Sequence, residues 1–182
     1  MKKAIYISIF LLFSICSFSQ DKEYKYRLLT YGTTRLHYSK AMEFVGDMWN
    51  IEIYGVAGTT VEHRVKDSAD TKNAELWKEL DKIKKTDSQK EFRNQVRAEF
   101  KNIMTAQKLV DSSKKVKNTI VLLTSSELRS YAELESKSEN GIYIWVIYTE
   151  EKDKYFSTSI AEYYANVDLK TKTIEIERIK KN

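Results

Sequence analysis

Acid–base or metal chemistry near neutral pH would centre on His63, one of only two histidines and the one with acids at helical spacing. Asp67 follows His63 by four residues and Asp70 by seven, so the three side chains would share one side of a helix. Residues at i and i+4 can bind one metal ion, but two ligands do not complete a site. The pattern therefore favours an exposed helix start with helix-stabilising acids. A hydrolase or metal-dependent enzyme using His63 and these acids is the alternative.

Two glycines precede a predicted helix and could shape a small ligand-binding turn. Gly55 and Gly58 stand just before Thr59, which begins the capping-box pattern TTVE at residues 59–62. Free amide groups at a helix N terminus attract anions, so residues 55–62 could form a pocket. The competing interpretation, which the sequence favours, is a strand-to-helix turn whose glycines adopt positive φ.

Trp145 is a further candidate contact residue, in the apolar segment IYIWVIYT at residues 142–149. It could line a ligand cleft, but an aromatic residue on so apolar a strand favours core packing. The sequence contains no G-x-S-x-G motif and no phosphate-binding glycine loop, and the S-x-x-K spacing at residues 112–115 lacks its companion motifs. The sequence therefore predicts no catalytic residue, metal or cofactor, and it leans towards a non-enzymatic protein.

The N-terminal segment predicts export. Two lysines precede an apolar run over residues 4–15. This run has the length of a signal-peptide core and is shorter than the roughly 20 residues needed to span a bilayer. Small residues favour cleavage after Ser19, so residues 1–19 would be a signal peptide and residues 20–182 a single periplasmic or secreted domain. No later segment approaches transmembrane length.

The single cysteine, Cys16, lies inside this predicted signal peptide. A lipoprotein anchored through Cys16 is the alternative, although Ile15 is a poor match for the small residue that precedes a lipidated cysteine. Cleavage would leave 29 Lys and Arg against 26 Asp and Glu, a net charge of +3 instead of +5. So mild an excess does not indicate a nucleic-acid partner.

Apolar periodicity predicts three helices followed by strands. The helices run from residues 33–34 to about 50, from 59 to about 83 with a gap in the apolar pattern at residues 72–73, and from 88 to about 110. Strands are expected at residues 51–58, 118–124, 142–149, in the second half of 155–169, and at 173–179, with a short helix at 125–136. This order predicts a single α+β domain with about three helices packed on one face of an antiparallel sheet of about four strands.

Two segments resemble known families. MWNIEIYGVAGTT, followed by TKN and LWKEL, resembles small exported bacterial FEKKY-domain proteins over about residues 33–105, a family without an assigned function. YYANVDLKTKTIEIERI resembles the terminal hairpin of NTF2-like and cystatin-like domains, which pair a helix with a curved antiparallel sheet. The NTF2-like resemblance implies one specific function, that of an immunity-type protein neutralising a toxin. Neither resemblance brings catalytic residues.

The function expected from the sequence is that of an exported envelope protein that binds another protein or a small ligand, whose identity is open. A structural envelope protein without a dissociable ligand is a further alternative. The expected contact surfaces are the exposed parts of the last strands and the turn at residues 55–62. The candidate ligand-binding residues are Gly55, Gly58, Thr59, His63 and Trp145.

Overall fold

The computed structural model describes residues 23–32, 35–58, 60–152 and 158–180. The helices are α1 (Leu36–Trp49), α2 (His63–Lys84), α3 (Ser88–Ser112) and α4 (Lys114–Leu123). The strands are β1 (Tyr26–Tyr31), β2 (Ile51–Ala57), β3 (Leu128–Lys137), β4 (Tyr143–Glu151), β5 (Ile160–Asp168) and β6 (Thr173–Arg178). The predicted α+β class is confirmed, with four helices in the described ranges. The predicted signal peptide, with Cys16, lies outside them. No described helix is long and apolar enough to cross a bilayer.

The larger sheet is antiparallel, and its strand order is β3-β4-β5-β6. The predicted hairpin at its end is confirmed, since β5 and β6 pair over residues 163–168 and 173–178. Ile174 and Ile176 lie opposite buried residues of β5, whereas Glu175 and Glu177 lie on the other face. Alternation along β6 therefore divides an apolar inner face from an acidic outer face.

The strand predicted at residues 118–124 is wrong, because these residues belong to α4 or follow it. The Ser113 side chain accepts the backbone N–H of Val116 at 3.3 Å and thereby caps the start of this helix. Val116 is buried, but the side chains of Val121 and Leu122 are 71% and 85% exposed. The short apolar run resembles a buried strand in sequence, yet it ends a capped surface helix.

The short helix predicted at residues 125–136 is also wrong, because these residues contribute most of β3. Ala132 and Leu134 lie opposite Ile147 and Trp145 of β4, so β3 places its apolar side on the core. Pairing with the most apolar strand of the chain therefore outweighs the helical propensity of this segment.

β1 and β2 form a separate two-stranded parallel sheet, which the sequence did not predict. Parallel neighbours need a crossover connection, and α1 supplies it. Gly46 of α1 faces β2 so closely that a Cβ atom there would lie 2.6 Å from the carbonyl oxygen of Ile51. Glycine thus allows α1 to pack directly on the strand that follows it.

The main core lies between α1, α3 and the inner face of the antiparallel sheet. Its fully buried side chains include Val45 of α1, Ile103 of α3 and Ile147 of β4. These three come from two helices that the sequence predicts by their apolar faces and from the most apolar predicted strand. The predicted helix α1 and strand β4 are confirmed as core elements, and so is α3.

A buried ion pair connects α3 to the sheet. Glu99 is 6% exposed, and the Lys137 ammonium donates to both of its carboxylate oxygens at 2.9 and 2.8 Å. The Tyr143 hydroxyl donates to the same carboxylate at 2.8 Å. Burial first, and then this hydrogen bond, raise the pKa of Tyr143 well above its usual range. Glu99 therefore satisfies two polar groups of the sheet at once.

Candidate functional site

A cleft with a volume of about 1010 Å³ lies between α2 and α3, with β1 and α1 as its floor. The residues that line it are Leu28, Leu29, Thr30, Tyr31, Tyr38, Met42, Asp70, Asn73, Ala74, Trp77, Lys78, Asp81, Lys82, Gln89, Phe92, Arg93 and Val96. The walls are mostly apolar and the rim is polar. This combination is typical of small-molecule sites.

Asn73 fixes the floor of the cleft. Its side-chain amide accepts the backbone N–H of Leu29 at 2.9 Å and donates to the carbonyl oxygen of the same residue at 2.8 Å. The pair reproduces the two hydrogen bonds that a neighbouring strand would make with β1. This contact explains why the apolar pattern of α2 is interrupted at residues 72–73: the helix presents an amide to a strand edge there.

Asp70 and Tyr31 close one end of the cleft. The Tyr31 hydroxyl donates to a carboxylate oxygen of Asp70 at 2.9 Å. This hydrogen bond is the main reason why the pKa of Tyr31 is raised. Tyr31 therefore stays a neutral donor throughout the physiological pH range, and its link to Asp70 holds the first half of α2 against β1.

Aromatic packing near the α2–α3 connection forms the apolar walls. The ring of Phe92 lies 5.5 Å from that of Trp77 and 5.5 Å from that of Trp49, centroid to centroid. The Trp49 indole N–H donates to Gln95 at 2.8 Å, and the Lys84 ammonium lies 3.1 Å from the centroid of the Trp49 ring. These contacts fix the angle between α2 and α3. The packed aromatic cluster therefore determines the shape of the cleft.

The rim of the cleft carries three cations and two carboxylates. Lys78, Lys82 and Arg93 are exposed side chains at this rim. Asp81, by contrast, accepts the backbone N–H of Ser88 at 2.7 Å, and Asp70 is held by Tyr31. Both carboxylates are therefore engaged in structural hydrogen bonds.

The glycine interpretation of the turn at residues 55–62 is wrong. Gly55 lies within β2, opposite Thr30, and Gly58 follows the strand; neither has a positive φ. Thr59 lies outside the described residues. α2 begins at His63 with Glu62 as its N-cap and without a side-chain cap, so the predicted start at residue 59 is also wrong. A small cleft of about 420 Å³ passes this region, lined partly by Val56 and Glu62.

His63 is an exposed first residue of α2. Asp70, one of its predicted partners, is engaged by Tyr31. Across residues 23–32, 35–58, 60–152 and 158–180, no three His, Cys, Asp or Glu side chains lie close enough together to hold a metal ion. Within these ranges, the structure therefore shows no set of metal ligands that includes His63.

Trp145 is 1% exposed and belongs to the main core. Its ring centroid lies 5.9 Å from that of His37, and within the described part of the chain its indole nitrogen has no hydrogen-bond partner. Trp145 does not line the large cleft, and neither do Gly55, Gly58 or His63. The described residues that the sequence suggested as ligand contacts therefore lie outside this cleft, and other residues line it.

Comparison with known proteins does not suggest a ligand or a function for this cleft. No family model, curated protein or solved structure matches this chain. The chemistry of the cleft is therefore the basis for assigning a function.

We predict that Asn73→Ala lowers the free energy of unfolding by about 2 kcal/mol, because it removes two partly buried hydrogen bonds to Leu29. Chemical denaturation would measure the loss, and hydrogen exchange should show faster exchange of the Leu29 amide. Asn94→Ala, at an exposed position of α3, is the control and should change stability by less than about 0.5 kcal/mol. An unaltered Leu29 exchange rate in Asn73→Ala would contradict the assigned contact.

Proposed function

We propose that this chain is an exported, non-enzymatic binding domain whose ligand occupies the cleft between α2 and α3. The observation that carries the proposal is a volume of about 1010 Å³ combined with apolar walls. Pockets for drug-sized ligands span about 300–1,000 Å³ and are mostly apolar with a few polar groups. The cleft falls at the upper end of that range and has the same composition.

The polar groups of the cleft favour binding over catalysis. Asp70 and Asp81 are its only carboxylates among the described residues, and each accepts a hydrogen bond from the protein itself. A general base must be able to reach a proton of the substrate, and these two groups already hold structural donors. The buried rings of Trp77 and Phe92 give the cleft a rigid aromatic backing, over which the half-buried Met42 can contact an apolar ligand.

The neutral fluorescent probe N-phenyl-1-naphthylamine tests this function. We expect it to bind the folded protein, and we expect Ala74→Phe to weaken binding at least about tenfold, because the new ring fills the cleft at an exposed lining position. Ala98→Phe adds the same ring to an exposed position of α3 outside the cleft. Equal binding by both variants, or no binding by the wild type, would refute the proposal.

Export is the second part of the proposal, and it rests on the predicted signal peptide. Intact-mass measurement of the protein recovered from its own host is the test. A mature N terminus at Gln20 would agree with cleavage after Ser19, whereas an acylated Cys16 would identify a lipoprotein. A mass that includes the whole predicted signal peptide would contradict both.

A further inference from the structure

We propose that the occupant of the cleft is an elongated amphiphile with an anionic head group, bound by Lys78, Lys82 and Arg93. These three side chains are the rim cations of the cleft. The inference rests on the proposed binding function and specifies the chemical class of its ligand. It arises from the uneven distribution of charge along the cleft.

The rim cations lie at the end of the cleft nearest the α2–α3 connection. Lys78 and Lys82 are four residues apart on α2, about 6 Å along its axis, and Arg93 lies in the second turn of α3. All three are exposed and line the cleft. Among the ion pairs of the described residues, none involves a rim cation. Their charges are therefore available to a ligand.

The carboxylates do not cancel this charge. Asp81 is the only acid at this end of the described cleft, and the backbone N–H of Ser88 occupies one of its oxygens. Asp70 lies at the opposite end, eight residues before Lys78 on the same helix, where it accepts from Tyr31. Three cations against one engaged carboxylate favour an anion at this end, by charge-assisted hydrogen bonds.

The length of the cleft favours an elongated ligand. Its lining follows α2 from Asp70 to Lys82, a span of about 18 Å along the helix. Between these ends the half-buried or exposed apolar lining comes from Leu29, Tyr38, Met42 and Ala74, which lie over the buried rings of Trp77 and Phe92. A small anion alone would contact only the rim, whereas an apolar tail would also cover these walls and remove their surface from water.

The rim cations are not explained by helix stability alone. Lysines near the end of α2 can stabilise the negative end of its dipole without any ligand. Arg93 gains nothing from that effect, because it lies near the N-terminal end of α3, where the dipole favours negative charge. The lysines near the C-terminal end of α2 and Arg93 near the N-terminal end of α3 lie on the same rim, although the two helix dipoles have opposite polarity there. This arrangement points to a bound anion.

Titration of the purified protein with twelve-carbon probes tests the inference: dodecanoate, dodecyl phosphate, neutral dodecan-1-ol and dodecyltrimethylammonium, each below its micelle concentration. Isothermal titration calorimetry of the unaltered protein can report binding, so that the aromatic cluster beside the cleft stays intact. We expect one or both anions to bind at least about tenfold tighter than the alcohol, with a preference that declines as salt rises. The two anions distinguish a carboxylate from a phosphate head group.

Replacement of all three rim cations by Gln should remove the preference for the anions and keep the affinity for the alcohol. The control is Lys66→Gln/Lys101→Gln/Lys108→Gln, which makes the same change of net charge at exposed positions outside the described clefts. This control should retain the anion preference. Circular dichroism and thermal unfolding would verify that both triple variants are folded.

The outcomes separate the two proposals. Equal binding of anions and alcohol, tighter binding of the ammonium probe, or an anion preference that survives loss of the rim cations would overturn the anionic ligand. Each of these results would leave the cleft as an apolar binding site. Failure of every probe to bind, the neutral alcohol included, would overturn the binding function as well.

Discussion

Glu99→Ala is expected to lower the free energy of unfolding by about 3 kcal/mol, because it breaks a buried ion pair by removing one partner. The substitution leaves the Lys137 ammonium without its carboxylate and removes the acceptor of the Tyr143 hydroxyl. We place the loss at the lower end of the range for a broken buried pair, because 21% of the Lys137 side chain is exposed and can be partly hydrated. Urea denaturation at neutral pH would measure it.

A pH titration gives this prediction a second readout. The folded protein holds the Tyr143 proton to a higher pH than the unfolded chain does, because the pKa is raised. The corresponding stability is fully present below about pH 10, the usual pKa of Tyr, and is lost as pH rises above it. Glu99→Ala should lower the pKa of Tyr143 towards that value and so weaken this alkaline destabilisation.

Two further variants serve as controls for Glu99→Ala. Glu75→Ala removes an exposed carboxylate from α2 and should cost less than about 0.5 kcal/mol. Glu99→Met/Lys137→Met removes both charges and should recover much of the lost stability, since no buried ion is then left unpaired. If Glu99→Ala were as stable as Glu75→Ala, the ion pair would not be buried in solution.

Gly46→Ala is expected to lower the free energy of unfolding by about 2 kcal/mol, although alanine favours a helix by about 1 kcal/mol over glycine. The added Cβ would lie 2.6 Å from the Ile51 carbonyl oxygen and 3.1 Å from two side-chain carbons of Ile53. A backbone oxygen cannot turn aside as a flexible side chain can, so α1 and β2 must separate. Thermal or urea unfolding would measure the loss.

Gly55→Ala is the matched control, because it makes the same chemical change in open space. No atom lies within 4 Å of the Cβ position at Gly55, and its φ is not positive. We expect no loss, or a gain of up to about 1 kcal/mol, since alanine reduces the freedom of the unfolded chain. Equal stability of the two alanine variants would show that α1 does not approach β2 as closely as the structure indicates.

The long helices could be predicted because their apolar periodicity extends over several turns. The same rule failed for α4 and β3, which are shorter and whose apolar runs suit either structure. There, the Ser113 cap and the pairing of β3 with β4 decide the outcome. The start predicted for α3 at residue 88 is confirmed, and Asp87 caps this start by accepting the backbone N–H of Lys90.

The cleft could not be predicted from the sequence, because it depends on the angle between α2 and α3 and on a strand from the start of the chain. Sequence reasoning selected residues with reactive side chains, such as His63, rather than residues that share a concave surface. One signal was available. The interruption of the apolar pattern at residues 72–73 marks Asn73, whose amide pairs with β1 at the base of the cleft.

Asn73 also has a consequence for how this protein behaves at high concentration. A two-stranded parallel sheet has two edges, and an unpaired edge is a template on which a strand of another molecule can add. The bidentate amide of Asn73 occupies the outward backbone groups of Leu29, in the middle of β1. One side chain on a packed helix thus blocks intermolecular strand addition along β1 and protects the domain against edge-to-edge aggregation.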